Sequence, residues 1–122
     1  MEEININGTI YVPKKSVKGV VNADGQKAVL IRSYAAGVHF GFLEKEEFTP
    51  SGKVVTLVKT RRVWYWDGAC SLSQMALEGV KMPANCKFSV EIARNEIVNV
   101  IETIELTDKA FENLKNVPVW KK

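Results

Sequence analysis

The run Lys59-Thr60-Arg61-Arg62-Val63-Trp64-Tyr65-Trp66 sets two arginines beside three aromatic rings. Successive side chains of an extended strand point to opposite faces. Read as a strand, the run puts Arg62, Trp64 and Trp66 on one face and Arg61, Val63 and Tyr65 on the other. A guanidinium beside flat indole surfaces suits a purine stacked on the ring with its phosphates paired to the arginine. The plainer reading is tryptophans in a core and arginines in solvent. A few residues on, Ser71-Leu72-Ser73-Gln74 has the form of a capping box, a serine followed three places later by a glutamine. Amides at a helix start are unpaired and lie at the positive end of its dipole. A phosphate could therefore rest on the Ser71–Ser73 amides, with the Ser73 hydroxyl as a further donor. A serine that only caps its helix is the plainer reading there.

A second unusual stretch is Arg32-Ser33-Tyr34-Ala35-Ala36-Gly37-Val38-His39-Phe40-Gly41. Its small residues let the backbone pass close to something, and Arg32 and Tyr34 fall on one face if the strand continues. A tight turn, with glycine chosen for its angles, explains the same residues. His39 is the single histidine. A hydrolytic triad with Ser71 or Ser73 and Asp67 lacks any nucleophile-elbow pattern to support it. Glu44, Glu46 and Glu47 form a charged run beside a turn and read as solvated. No phosphate-loop or dinucleotide glycine fingerprint is present. Cys70 and Cys86 stand alone, short of the four ligands of a structural zinc site, and read as reduced thiols. These residues predict a binding protein, not an enzyme, with no cofactor and no metal.

The elements that must position these groups follow from turn chemistry and periodicity. Val17–Val21 and Lys27–Tyr34 flank Asn22-Ala23-Asp24-Gly25, and Asp-Gly between β-branched runs predicts a hairpin. Val38–Phe48 and Lys53–Trp66 flank Thr49-Pro50-Ser51-Gly52, a second hairpin. Ile10–Val12 is a short apolar run ended by Pro13. After Asp67-Gly68 the period changes. Leu72, Met75 and Ala76 share helical spacing and Gly79 sits at a stop position, which predicts a short helix over Leu72–Glu78. Lys87–Ile92 and Ile97–Leu106 read as strands turning at Arg94-Asn95. Thr107-Asp108 caps a last helix carrying Ala110, Phe111 and Leu114 on one face, and Pro118 stops it. The expected class is α+β: a mostly antiparallel, strongly curved or barrel-like sheet with two short helices.

The chain has 122 residues, 46% hydrophobic and 25% charged, which predicts one globular ligand-binding domain over residues 1–122. Its 17 basic residues against 14 acidic give a net charge of +3, a mild bias toward anionic partners. Met1–Asn7 is acidic and polar, which predicts no signal peptide, and no apolar run approaches the ~20 residues of a membrane span. A cytoplasmic protein is expected.

One wider pattern links these stretches. Val29-Leu30-Ile31-Arg32, Ala36-Gly37-Val38 with Gly41, Arg61-Arg62-Val63-Trp64-Tyr65-Trp66 and Ala69-Cys70-Ser71-Leu72-Ser73-Gln74-Met75-Ala76 together resemble the first Thoeris anti-defence family of small phage proteins. Gly79-Val80-Lys81 and the closing Val117-Pro118-Val119-Trp120-Lys121 fit as well. The resemblance covers most of the chain from about Val29 onward, and its specific part is the Arg-Arg-x-Trp-Tyr-Trp to Ser-x-Ser run. It implies a sponge that sequesters a cyclic ADP-ribose signal of bacterial Thoeris immunity without degrading it. It implies residence in the host cytoplasm and a homo-oligomer, a dimer or an assembly of dimers such as a hexamer. Some family members also hold cyclic trinucleotides. The residues expected at the ligand are Arg32, Tyr34, His39, Arg61, Arg62, Trp64, Trp66, Ser71 and Ser73. A different class, a small phage nucleic-acid-binding domain, would also use basic charge and exposed aromatics on a sheet. Against it, the basic residues form no single stripe. A third reading, a structural protein without ligand, requires Arg62, Trp64 and Trp66 to be only core and surface.

Overall fold

A computed structural model describes residues 4–6, 9–11 and 20–121. The strands are β1 (Ile4–Ile6), β2 (Thr9–Tyr11), β3 (Ala28–Ser33), β4 (Gly37–Thr49), β5 (Gly52–Tyr65), β6 (Lys87–Phe88), β7 (Ile92–Ile97) and β8 (Val100–Glu105). The helices are α1 (Leu72–Glu78) and α2 (Asp108–Lys115), with a 3-10 turn at Pro83–Asn85. β1 and β2 form a ribbon of their own. The remaining six strands make one antiparallel sheet in the order β6-β5-β4-β3-β8, with β7 also on β5. The fold is α+β. The sheet is open: β7 and β8 are joined through Val98 and Asn99, and among the described residues no ladder runs between them. The barrel-like form is therefore not reached.

The long hairpin of β4 and β5 is the frame, turning at Pro50 and Ser51. Its two strands slip past each other twice, between Phe40 and Phe42 and between Leu43 and Lys45. At the first slip β5 carries an extra residue, and Lys59 takes a left-handed φ of 49°. Gly41 is there for space. A Cβ on it would lie 2.8 Å from Thr60 Cβ and 3.0 Å from Val58 O. The backbone approach expected of the small residues around Gly41 is thus an approach to β5. The segment Tyr34–Ala36 is a tight turn, closed by Ser33 Oγ, which accepts from Ala36 N at 3.0 Å and donates to Val98 O at 2.8 Å.

Alternation along the strands gives each sheet face its own core. Leu30, Phe40, Phe42, Val63 and Phe88 on one face meet Met75 and Ala76 of α1 and Ala110, Phe111 and Leu114 of α2. Val29, Ile31, Val55, Leu57, Ile97 and Val100 cluster on the other. Each large buried side chain contributes about 1.5–3 kcal/mol. The helices start where their caps stand. Ser71 Oγ accepts from Gln74 N at 3.1 Å, and Gln74 Oε1 accepts from Cys70 N at 2.8 Å. Thr107 Oγ1 accepts from Ala110 N at 3.1 Å and donates to Leu77 O at 2.7 Å, tying the start of α2 to the end of α1.

Two readings need correction. The turn expected at Arg94-Asn95 lies instead at Val98-Asn99. Arg94 and Asn95 pair with Val58 and Leu57 inside β7, and Asn99 takes the left-handed φ of 54° that closes the turn. Lys87–Ile92 is not one strand, because pairing with β5 stops at Phe88 and resumes at Ile92. Of the first hairpin, the Val21–Lys27 bridge and the turn at Gly25 are present; residues 17–19 lie outside the described residues, as do Val12 and Pro13.

Candidate functional site

β4 occupies one edge of β5, so β6 and β7 must share the other. Val63 and Tyr65 pair with β6, and Val55 to Thr60 pair with β7. Between these two partners lie Arg61 and Arg62, and opposite them the chain crosses over as Ser89-Val90-Glu91. Ser89 stitches the crossing. Its N donates to Arg62 O at 2.9 Å, and its Oγ accepts from Arg62 N at 2.8 Å. The gap opens as a cleft of about 190 Å³ lined by His39, Thr60, Arg61, Arg62, Trp64, Ser89, Val90, Ile92 and Asn95.

His39 forms a wall of this cleft and is 1% exposed. It stands opposite Arg62 in the β4–β5 ladder. Its Nε2 lies 2.9 Å from Ala36 O. A carbonyl can only accept, so Nε2 carries the proton. Burial holds the imidazole below its usual pKa, against the Ala36 contact, and the Arg62 charge acts in the same direction as burial. The ring is therefore neutral, and Nδ1 is a lone pair with no partner among the described residues. A buried acceptor left unpaired costs about 1–3 kcal/mol. A ligand hydroxyl or amine would satisfy it.

Arg62 and Trp64 form the exposed side of the cleft, Trp64 being 53% exposed. Trp64 stands edge-on to Trp120, with ring centroids 5.7 Å apart. Lys87 Nζ lies 5.1 Å from the Trp120 centroid and 6.0 Å from that of Tyr65. The strand reading placed Trp66 beside Trp64, and the structure corrects this. The β5–β6 register shifts between Val63 and Tyr65. Both Trp64 and Tyr65 are consequently exposed, while Trp66 packs on the core that holds Val63. A bulge resets the alternation, and the sequence carries no mark of it.

Arg61 borders the cleft but is 4% exposed. It shares the face of Phe40, its ladder partner. Nη1 donates to Leu114 O, Lys115 O and Val117 O at 3.2, 3.2 and 2.7 Å, and Nε donates to Ser89 O at 2.7 Å. A cation on the last carbonyls of a helix is favoured by the dipole. Arg61 thus closes α2 and anchors the crossing segment. Burial pulls its pKa down, partly offset by Glu91.

The remaining expected ligand residues lie elsewhere. Arg32 is exposed and paired with Glu102 at 3.3 Å. Tyr34 is 83% exposed at the β3–β4 turn, beside a hollow formed with Lys53, Asn99 and Ile101. Ser71 and Ser73 are exposed at the start of α1, outside the cleft. The structure brings together His39, Arg61, Arg62 and Trp64. Sequence reasoning missed Thr60, Ser89, Val90, Ile92 and Asn95. The alternation of Phe88, Val90 and Ile92 looks like one strand and hides the break. Cys70 and Cys86 are free thiols, and burial raises the pKa of Cys86. Among the described residues no three His, Cys, Asp or Glu side chains converge as a metal site, and no helix is long and apolar enough to cross a membrane.

Comparison with curated proteins and with solved structures finds no match. A family model matches residues 26–114, from just before β3 almost to the end of α2, a span that includes every described residue of the cleft. The chain belongs to the family described as a domain of unknown function, DUF6948.

Proposed function

We propose that this protein is a sponge for a small anionic nucleotide, binding an intact cyclic ADP-ribose signal and withholding it from a Thoeris-type immune system in the host cytoplasm. The observation that carries the reading is the cleft itself. Three residues picked for ligand chemistry from two separate strands, His39, Arg62 and Trp64, border one cavity. Each suits a different part of an adenine nucleotide. Arg62 matches a phosphate, the Trp64 ring offers a stacking surface, and the unpaired His39 Nδ1 takes a ribose hydroxyl or the adenine amino group. The anti-defence role rests on the resemblance of the Arg61–Ala76 region to that family.

Volume refines the proposal. Sites that enclose a drug-sized ligand run to about 300–1,000 Å³. A cleft of about 190 Å³ holds a base or a ribose phosphate, not the whole of cyclic ADP-ribose. Full enclosure then calls for a second copy of the chain, with the exposed Trp64, Tyr65 and Trp120 cluster beside the cleft as contact surface. A homodimer, alone or assembled further into a hexamer, fits that need, and a cyclic oligonucleotide is the next ligand to try.

The test is to purify the protein from cells making the signal, denature it by heat and identify released nucleotides by mass spectrometry. Recovery of intact cyclic ADP-ribose in near-stoichiometric amount supports the sponge. A ring-opened product formed at catalytic turnover, or no nucleotide at all, overturns it. One observation favours a second reading. Trp64, Tyr65 and Trp120 with Lys87 form an exposed aromatic and cationic surface of the kind that stacks single-stranded nucleic acid. Under that reading, affinity for a single-stranded oligonucleotide falls steeply with salt.

A further inference from the structure

Arg61 borders a second hollow, on the other side of β5 from Arg62. This hollow, of about 320 Å³, lies between β4, β5 and α2, with Phe40, Phe42 and Phe111 as its apolar wall and Lys59, Arg61 and Lys115 as its cations. Among the described residues Arg61 alone borders both cavities. We propose that this hollow is a separate binding site for a small organic anion with a flat apolar body, an aryl carboxylate. The inference is independent of the function proposed above.

Three observations carry it. First, the charge is lopsided: among the described residues three cations face one carboxylate, Glu91, in the wall. Second, the deepest of these cations is incompletely satisfied. The register of β5 puts the Arg61 side chain on the face of Phe40 and α2. Its Nε and Nη1 are taken up by backbone carbonyls, and among the described residues no carboxylate pairs with it and its buried Nη2 has no partner. A carboxylate oxygen is the acceptor a guanidinium N–H binds best. Third, the backbone is held in a costly shape here. Lys59 adopts a left-handed φ of 49° with no glycine to ease it, in a bulge fixed by the close approach of Gly41 to Thr60. Such outliers persist where the surrounding structure over-determines them and cluster at ligand sites.

The wall chooses the body of the ligand. Phe42 and Phe111 stand with ring centroids 5.2 Å apart and 55° between planes. A flat ring slides edge or face against such a pair. Lys115 Nζ sits 5.6 Å from the Phe111 centroid and 3.5 Å from Glu112, so it remains close to the hollow without being locked inside. A naphthalene carboxylate fits the volume, whereas a bare phosphate would leave the phenylalanine wall uncovered.

The probe is 2-naphthoate, titrated into the full chain and followed by NMR shifts of assigned backbone amides, with 2-naphthalenemethanol as the neutral isostere. The expected result is saturable binding with a Kd below about 1 mM, shifts centred on Phe42, Lys59 and Phe111, and the alcohol at least about tenfold weaker, as loss of a charged acceptor predicts. Lys59→Gln and Lys115→Gln, with folding checked from the dispersion of the same amide spectra, should each weaken naphthoate about two- to fivefold. Arg62→Ala should leave naphthoate binding unchanged, which separates this site from the nucleotide cleft. Equal affinity for acid and alcohol, indifference to both lysine changes, shifts confined to the His39–Trp64 cleft, or no saturable binding at all would each overturn the proposal.

Discussion

Arg61 and Arg62 are neighbours in sequence and opposites in the fold. Arg61 is 4% exposed and gives four hydrogen bonds to backbone carbonyls of the crossing segment and the end of α2. Arg62 is exposed, no hydrogen bond from its side chain fixes it among the described residues, and its backbone is held on both sides by Ser89. One step along a strand turns a side chain through to the other face, and here that step separates a residue the fold needs from one it leaves free. The doublet therefore teaches that residue type alone does not assign a role. The same guanidinium closes a helix on one face and borders an open cleft on the other.

The comparison breaks first at Arg61. Arg61→Met strips donors from carbonyls at the C-terminal end of α2 and from Ser89. It should cost about 2–4 kcal/mol in a urea unfolding curve, since more than one buried carbonyl loses its donor at about 1–3 kcal/mol each. A loss under about 1 kcal/mol would mean that α2 is closed without it. The second effect concerns the bulge that sets both arginines in register. Gly41→Ala brings a Cβ to 2.8 Å from Thr60 Cβ. Overpacking of that kind should cost about 1–3 kcal/mol and disturb the amides of Thr60 to Arg62. Unchanged stability would show that β4 and β5 can separate there freely.

A smaller effect sharpens the Arg62 side. His39 titrates below its usual value of 6.5 in the folded protein because burial disfavours the charged ring. Above that value both folded and unfolded chains hold it neutral. Below it the unfolded chain takes up a proton that the folded one refuses, so stability is full above about pH 6.5 and declines as the pH falls toward the folded value. Stability measured between about pH 7.5 and 5.5 should fall on acidification, and His39→Gln should flatten that slope. An identical slope in the variant would place the proton elsewhere. Smallest of all is the effect of Arg62→Ala on folding, expected within about 0.5 kcal/mol.

Much of this architecture was legible beforehand. The β4–β5 hairpin could be read because Pro50, Ser51 and Gly52 name their turn, and both helices because Ser71 and Thr107 cap them. These are local signals, written in the residues that obey them. The candidate site was half legible. Arg62 and Trp64 follow from simple alternation, and His39 from its being the lone imidazole. What stayed hidden depends on pairing between distant strands. The bulge that turns Trp66 inward, the crossing at Ser89, and the burial of Arg61 against α2 are set by register, which a single strand does not display. The serines of α1 are the converse: their chemistry suits an anion, but they lie away from the cleft.

The contrast between the arginines predicts a clean separation of binding from folding, and calorimetric titration of cyclic ADP-ribose into three variants reads it. Arg62→Ala should fold as the wild type does and bind about tens to thousands of times more weakly, the loss expected when a charged donor is taken from a phosphate pair that a second copy of the chain encloses, at about 2–5 kcal/mol. Ser73→Ala, at an exposed position outside the cleft, and Lys109→Ala, on the exposed side of α2, should bind within about threefold of wild type. If Arg62→Ala folds normally and binds as tightly as Lys109→Ala, the cleft between β6 and β7 is not where the nucleotide sits, and the central claim fails.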